Sequence, residues 1–252
     1  MLGCCAKGAL TVWSRQSIEK YRQDGYLIRR EPIFDAKQMV RLTEIFEEHL
    51  ANRGAKRADE LDTPHFADHR LLEFLLSDRV LDLVEPLIGP NIALWSSHFI
   101  AKEAYQGRRT PWHEDSAYWQ GRVDRVDQIV TVWLALDAST RENGCMRVIP
   151  GSHRGGHYVY GPVDTEQNTF TTEIQNVDEA RAVYFELQPG QCSLHDARII
   201  HGALANQSDH RRAGYTMRYM ATTTHVIAEA NPNFPIWLAR GRDLAGNTYA
   251  NG

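Results

Sequence analysis

Apolar positions near the start of the chain recur every three to four residues, which indicates amphipathic helices. Ser14 or Ser17 can cap a first helix that stops at Gly25. Asp35 can cap a second helix, whose apolar face is formed by Met39, Val40, Leu42, Ile45, Phe46 and Leu50. We therefore expect two helices before residue 51.

A third helical pattern runs over residues 71–87, in two short pieces closed by Gly89 and Pro90. Residues 24–28 predict a turn into a short strand, and the polar stretch 51–64 predicts an irregular loop. The first third of the chain is thus predicted to be mainly helical.

From about residue 92 the helical spacing is replaced by short runs of apolar and β-branched residues between turn residues. The predicted strands cover 92–102, 129–137, 146–150, 191–194, 199–204 and 213–222. Helices followed by many short strands favour an antiparallel barrel or sandwich with helices packed outside. Residues 155–179 are polar and weakly patterned, which is typical of a lid or binding loop.

We interpret residues 1–252 as one domain, since no internal repeat and no linker divides the chain. A helical N-terminal part is expected at about 14–90, a β core at about 91–225 and a C-terminal tail at 226–252. With 42% hydrophobic and 24% charged residues, the composition is that of an ordinary globular protein.

Charge and apolar-run length argue against two classes of partner. The net charge of -4 provides no basic excess for nucleic acid or an anionic membrane. No apolar run approaches the roughly 20 residues that a bilayer-spanning helix needs. The oligomeric state stays open.

The cysteines indicate a reducing compartment. Cys4, Cys5, Cys145 and Cys192 include no C-x-x-C spacing, which favours free thiols over a zinc site or a disulfide framework. The first ten residues lack the apolar core of a secretory signal, and the last four carry no peroxisomal or ER address. We therefore expect a cytoplasmic protein.

One candidate metal-binding pair lies at His113 and Asp115. In a strand these two side chains would point to the same side and Glu114 to the other. An imidazole beside a carboxylate forms two corners of a metal site, although a His-x-Asp pair alone is weak evidence.

A second candidate segment provides a further imidazole. His201 follows an apolar strand, and Arg211 and Arg212 follow the turn-rich stretch after it. Two histidines and one carboxylate form the facial triad that leaves three positions open on Fe(II), which suits a bidentate 2-oxo acid and O2. An arginine on the returning strand can bind the far carboxylate of a dicarboxylic cosubstrate through a bidentate fork.

With these segments the chain resembles the phytanoyl-CoA dioxygenase family of Fe(II)/2-oxoglutarate oxygenases. The similar stretches occur in the order expected for the family, at 21–26, 112–115, 131–137, 142–153 and 201–212. They are independent of one another and extend over nearly the whole chain, so the resemblance is specific.

The resemblance implies a mainly β fold with peripheral helices around a double-stranded β-helix (jelly-roll, cupin-like) core. It implies His113, Asp115 and His201 as the catalytic iron ligands, with Fe(II), 2-oxoglutarate and O2 as cofactor and cosubstrates. The family spacing favours Arg212 over Arg211 as the residue that pairs with 2-oxoglutarate.

Two further positions are implied as cofactor-binding. Trp133 matches a position that lines the cosubstrate pocket, and His98 is a second candidate there. Ala203 departs from the pattern, because some members carry a hydroxyl residue that helps to hold the cosubstrate. This departure leaves the finer geometry of binding open.

Some residues have two interpretations. Tyr118 and Trp119 are either core aromatics or a substrate wall, and Arg240 is a weaker substrate-contact candidate that packing and surface pairing also explain. His195 is expected to be a buried, hydrogen-bonded histidine, since a fourth protein ligand would occupy a position that the reactants need.

Two further stretches, one turn-forming and one basic, also have two interpretations. Residues 143–153 read as a tight turn, a strand and a Pro-Gly turn with a structural role, whereas His153 could instead face the mouth of the site. Arg108 and Arg109 are either surface charges or part of a site that binds an anionic group.

The resemblance implies hydroxylation of an unactivated C–H bond of a small-molecule metabolite, with release of succinate and CO2. Asp115 favours this outcome over chlorination, because halogenating relatives have a small residue at the carboxylate position. A fatty acyl-CoA substrate is disfavoured by the lack of a basic cluster for the CoA phosphates. Desaturation, epoxidation or cyclisation on the same scaffold stay open.

Two alternatives lie outside this class. One is a non-catalytic cupin-type binding module, and the other is a cupin-type hydrolase or isomerase that uses zinc or manganese. The intact ligand set argues against the first, and Arg212, which such hydrolases do not need, argues against the second.

Overall fold

Helix α1 (Arg15–Asp24) has a predicted capping residue at each end. The computed structural model describes residues 12–156 and 158–250. The Ser17 backbone N–H donates a 3.0 Å hydrogen bond to the Ser14 hydroxyl, so Ser14 is the cap. Gly25 ends the helix at a φ of 84°, a left-handed conformation that glycine adopts at little cost. The chain then enters strand β1 (Tyr26–Arg29), as predicted.

Helix α2 (Ala36–Ala51) begins at a reciprocal capping box between Asp35 and Gln38. Its buried face is narrower than predicted, since Val40 is 58% exposed while Phe46 is buried. The next predicted pair of short helical pieces is confirmed as α3 (Leu72–Leu75) and α4 (Asp78–Ile88).

The remaining chain forms short strands and one further short helix, α5 (Ser116–Trp119). The strands are β2 (Leu61–Asp62), β3 (Ile92–Lys102), β4 (Thr110–His113), β5 (Ile129–Ala135), β6 (Met146–Val148), β7 (Tyr160–Pro162), β8 (Thr172–Ile174), β9 (Val183–Tyr184), β10 (Cys192–Asp196), β11 (His201–Ala203), β12 (Arg212–Ala221) and β13 (Trp237–Arg240). All six strands predicted from the sequence are present. The loop predicted over 51–64 is wrong at β2, which pairs with β3.

The strands form two antiparallel sheets and a separate hairpin. The larger sheet has the order β1-β10-β5-β12-β3-β13, with β2 also on β3, and the smaller has the order β4-β11-β6-β9. Strands β7 and β8 pair with each other within the segment predicted as a lid. This arrangement confirms a mainly β fold with peripheral helices and a double-stranded β-helix core.

Alternation along β5 separates the two faces of the larger sheet. Val130, Val132 and Leu134 pack into the cluster that contains the helices, whereas Trp133 packs with residues of the smaller sheet. The helices therefore cover the outer face. The inner face, between the two sheets, is left for the site.

Other expectations concern the whole chain. Cys145 and Cys192 are buried free thiols, whereas Cys4 and Cys5 lie outside the described residues. In the part of the chain that the structure describes, no helix has the length and hydropathy to cross a membrane. The single domain and its internal boundaries stay a prediction.

Candidate metal centre

Three candidate ligands meet at adjacent strand ends of the smaller sheet. His113 is the last residue of β4 and pairs directly with His201, the first residue of β11. The Nε2 atoms of these histidines lie 3.9 and 4.0 Å from the Asp115 Oδ1 atom. The potential ligand atoms all lie within 4.8 Å of one another, and all three residues are buried. One ion can therefore contact all three.

Asp115 reaches this position by a route other than the predicted one. Strand β4 ends at His113, and Asp115 has helical backbone angles (φ -59°, ψ -35°) at the start of α5. The strand alternation proposed for the pair is therefore wrong. The chain turns after His113, and this turn places the carboxylate beside the imidazoles.

Backbone carbonyls fix which nitrogen each imidazole offers. The Nδ1 atom of His113 donates to the Pro111 carbonyl at 2.8 Å, and that of His201 donates to the Ile199 carbonyl at 3.0 Å. A carbonyl oxygen only accepts, so each Nδ1 carries a proton and Nε2 is the nitrogen that faces the shared space and is left for a metal. Burial lowers the pKa of His113 to about 3, which keeps that ring neutral.

The Asp115 carboxylate is held at its other oxygen. Its Oδ2 atom accepts a 3.2 Å hydrogen bond from the Thr131 hydroxyl and lies 3.7 Å from the Arg218 Nε atom. Burial by itself raises the pKa of Asp115, but the charges of Arg218 and His201 outweigh it, and the net pKa lies well below the ordinary value. An ionised carboxylate with one oxygen held and the other facing the two imidazoles fits a divalent iron ion.

Sequence reasoning missed Thr131 and Arg218. They are direct partners across β5 and β12, which places both side chains beside Asp115. The signal available was the period-2 relation between Arg212 and Arg218 on β12, which puts them on the same face of that strand.

Replacing Thr131 by valine is expected to weaken Fe(II) binding by about tenfold to 100-fold, the usual effect of losing an outer hydrogen bond to a metal-binding carboxylate. Anaerobic titration against a chromophoric chelator measures the affinity. Thr131→Ser keeps the hydroxyl and should bind iron as the wild type does. Equal affinity of the valine and serine variants would contradict a positioning role for Thr131.

A cavity of about 460 Å³ adjoins the triad between the two sheets. Arg212 lines it and is 3% exposed. Its Nη2 atom donates to the Gly144 carbonyl at 2.9 Å, its guanidinium lies 5.3 Å from the centre of the Trp133 ring, and its Nε has no hydrogen-bond partner among the described residues. Burial lowers the pKa of Arg212 to about 10, so it stays cationic at neutral pH.

The neighbouring Arg211 is engaged elsewhere. It forms ion pairs with Asp137 and Glu47, both at 2.7 Å. Arg212 forms no such pair with any acid in the described ranges, and of these two arginines it is the one that lines the cavity. This placement agrees with the choice of Arg212 from the family spacing.

The two other cosubstrate candidates also line the cavity. Trp133 lies over Gly214, where an added Cβ would come within 2.2 Å of the indole, so the strand needs glycine there. His98 is already engaged, with Nε2 donating to the Asp59 carbonyl at 3.0 Å and Nδ1 lying 3.8 Å from Asp62. Burial lowers the pKa of His98 to about 4.

Tyr118 and Trp119 both line the cavity, and Trp119 also belongs to a buried core cluster, so both interpretations of this pair stay open. The Arg240 interpretation as a substrate contact is wrong. This side chain lies against α4 and forms ion pairs with Asp78 and Glu85 at 2.6 and 2.7 Å, and with Asp82 at 2.8 Å. Acids spaced along one helix face therefore hold Arg240 away from the cavity.

His195 is buried as expected, but the expected hydrogen bond is absent. Neither ring nitrogen has a hydrogen-bond partner among residues 12–156 and 158–250. The ring lies 4.9 Å from the His201 ring and lines the cavity. Burial lowers the pKa of His195 to about 3, so the ring is neutral.

The segment predicted as a lid contributes to the site through Phe170, which sequence reasoning missed. The Phe170 ring lies 4.7 Å from the His113 ring and 5.3 Å from the Tyr118 ring. Nearby, Arg109 is paired with Glu173 of the same segment. The segment thus covers the triad from one side, and its motion as a lid stays a prediction.

The turn-rich and basic stretches have mainly structural contacts. Asn143 accepts a 2.8 Å hydrogen bond from the Thr140 backbone, and the His153 Nε2 atom donates to the Arg22 carbonyl at 3.1 Å, on α1 rather than at the site mouth. Arg108 lines the cavity, but its guanidinium forms an ion pair with Asp59 at 3.0 Å.

The fold and the site together define a class: double-stranded β-helix proteins with a metal site of two histidines and one carboxylate. Residues 21–214 match the phytanoyl-CoA dioxygenase (PhyH) family, and the chain belongs to this family of iron- and 2-oxoglutarate-dependent oxygenases. The expectation of iron and 2-oxoglutarate as its cofactors is thereby confirmed, and the three residues predicted as iron ligands lie together in one buried cluster.

Individual relatives are distant. The chain is 28% identical over 165 residues to a probable alpha-ketoglutarate-dependent hypophosphite dioxygenase of Stutzerimonas stutzeri, covering 64% of this chain and 56% of that protein. It is 28% identical over 166 residues to human peroxisomal phytanoyl-CoA dioxygenase, covering 64% and 48%. These alignments span about half of each relative's length.

A solved structure is similar over more of the chain. The apo form of the non-heme monooxygenase ThoJ superposes with a TM-score of 0.74 at 27% identity, and covers 90% of this chain and 84% of that one. The superposition therefore covers a larger share of the chain than the family match at residues 21–214.

Proposed function

We propose that this protein is an Fe(II)- and 2-oxoglutarate-dependent oxygenase that hydroxylates an unactivated C–H bond of a small-molecule metabolite. The observation that carries the proposal is the triad opening into a cavity that also contains a buried arginine without a carboxylate partner in the described chain. The overall change consumes O2 and 2-oxoglutarate, and it yields the alcohol, succinate and CO2.

The residues of this chain bind and orient the iron and the cosubstrate. His113, Asp115 and His201 hold the iron, which when bound supplies the oxygen chemistry. Arg212 binds the distal carboxylate of 2-oxoglutarate beside Trp133, where a desolvated guanidinium gains from an anionic partner. The aromatic rings over the triad exclude water from the reacting carbon.

Asp115 supports hydroxylation over halogenation, because Thr131 and Arg218 hold an ionised carboxylate where a halide would otherwise bind. Desaturation, epoxidation or cyclisation by the same scaffold is the second candidate. The names of the relatives refer to hypophosphite and phytanoyl-CoA, so membership of the family leaves the substrate open. The cavity has the size of an ordinary small-molecule site.

The test begins without a substrate. Under anaerobic conditions Fe(II) and 2-oxoglutarate together should produce a weak visible charge-transfer band, and Fe(II) alone should not. Candidate metabolites are then screened in air for stimulated succinate release. A binding module would form the band without turnover, and a zinc or manganese hydrolase would form no band. Absence of both band and succinate would refute the proposal.

A further inference from the structure

We propose that the substrate carries an anionic group, a carboxylate or a phosphate, and that Arg122 binds this group at the end of the cavity remote from the metal ligands. The inference rests on the proposed function for the site as a whole. The rest of the substrate is expected to be apolar and to lie along a wall of aromatic rings.

Arg122 is held in one orientation from the loop that follows α5. Its Nε atom donates to the Asn231 side-chain oxygen at 2.8 Å, and the Asn231 amide donates back to the Arg122 carbonyl at 2.7 Å. The guanidinium lies 4.6 Å from the centre of the Phe234 ring and 5.1 Å from that of Trp95. This support leaves both terminal nitrogens of the fork without a hydrogen bond to the described residues.

Each of the other arginines that line the cavity has an anionic partner, either an acidic residue or the proposed cosubstrate. Arg108 is paired with Asp59, Arg218 lies 3.7 Å from Asp115, and Arg212 is reserved for the cosubstrate. Arg122 has no carboxylate within ion-pairing distance in the described ranges.

Asp62 is the acid that acts on Arg122 electrostatically. Its side chain is 64% exposed and lies beside His98 rather than on the guanidinium. Burial is the main influence on Arg122 and lowers its pKa. A partly desolvated cation with a free fork is a suitable partner for a carboxylate or phosphate.

A series of contacts connects Arg122 to the metal site. The Arg218 guanidinium, next to Asp115, lies 5.6 Å from the Trp119 ring centre. The Trp119 ring lies 6.4 Å from the Trp95 ring, on which Arg122 packs. Arg122, both indoles and the triad border one cavity, so a molecule anchored at Arg122 would have its carbon atoms directed toward the triad. If Arg122 instead only stabilises the segment around Phe234, an anionic group on the ligand would not improve binding.

The experiment uses protein loaded with Fe(II) and excess 2-oxoglutarate without oxygen, so that Arg212 is occupied. Calorimetry measures binding of phenylacetate, hexanoate and phenyl phosphate against the uncharged phenylacetamide and hexanamide. We expect at least one anion to bind at least tenfold more tightly than its neutral counterpart. Comparing phenylacetate with phenyl phosphate distinguishes a carboxylate site from a phosphate site.

Arg122→Gln should remove this preference while changing amide binding less than threefold, and Arg122→Lys, which keeps the charge, should retain part of it. Arg125→Gln is the matched control, because Arg125 lies nearby, is exposed and pairs with Asp127. Equal binding of anions and amides by the wild type, no binding of any anion, or a preference that survives in Arg122→Gln would overturn the inference. The charge-transfer band in the same samples separates the two proposals, because its absence refutes the oxygenase itself.

Discussion

Replacing His113 by alanine is expected to abolish Fe(II) binding and all 2-oxoglutarate turnover. The remaining pair, Asp115 and His201, would leave two ligands for an ion that needs three fixed protein contacts. Iron content after anaerobic loading, the charge-transfer band and succinate release should all fall to background.

The matched control is His210→Ala. His210 is exposed and contacts only the loop around it, notably Asp209 at 3.3 Å. This variant should bind iron and turn over as the wild type does, which shows that removal of an imidazole elsewhere has no effect. Iron binding by the His113 variant at wild-type affinity would move the metal site away from the triad.

Replacing Arg212 by glutamine is expected to weaken 2-oxoglutarate binding by at least about 30-fold. Loss of one partner of a buried charge pair costs about 2–5 kcal/mol, and each 1.4 kcal/mol is about tenfold in affinity. Iron binding should be unchanged, since Arg212 contacts Gly144 and Trp133 rather than a triad residue. Titration of the charge-transfer band with 2-oxoglutarate measures the loss.

Two comparisons make this result specific. Arg211→Gln alters the adjacent guanidinium, which is paired with Asp137 and Glu47, and should leave 2-oxoglutarate affinity within about twofold because Arg211 does not line the cavity. A 2-oxo acid without the distal carboxylate, such as 2-oxobutanoate, should bind the wild type and the Arg212 variant equally weakly. If the variant still prefers 2-oxoglutarate over 2-oxobutanoate, another residue binds the distal carboxylate.

The sequence was sufficient for the identity of the triad and for most elements. His113, Asp115 and His201 could be chosen because imidazole and carboxylate chemistry, together with the order of motifs, restricts the options. Capping residues such as Ser14 and Asp35 act over three residues, so their effect is local and could be predicted.

Features that depend on a reversal of the chain or on partners distant in sequence could not be predicted from local sequence patterns. The turn that places Asp115 follows from how β4 ends against its neighbours, which strand periodicity does not contain. Phe170 and Arg218 reach the site from segments about 55 and 100 positions beyond Asp115. Without a known topology, no local pattern connects such residues.

His195 and Arg240 show the converse error. A histidine on a core strand was expected to be hydrogen-bonded, yet in the described residues both of its ring nitrogens lack a hydrogen-bond partner. Arg240 was a substrate candidate from the position of the C-terminal tail, but the tail forms β13 at the sheet edge, within reach of the acids of α4. Both outcomes were decided by tertiary placement.

Apart from Asp115 at the start of α5, paired strands provide the iron and cosubstrate residues, whereas Arg122, Asn231 and Phe234 come from connections outside those strands. For laboratory evolution this arrangement means that substrate preference and oxidising power reside in separable parts of the gene. Libraries confined to codons 117–123 and 228–236 should yield folded variants that keep making succinate but choose different molecules. Insertions between codons 212 and 218 should instead inactivate nearly every clone, because one added residue reverses the direction of the side chains that follow.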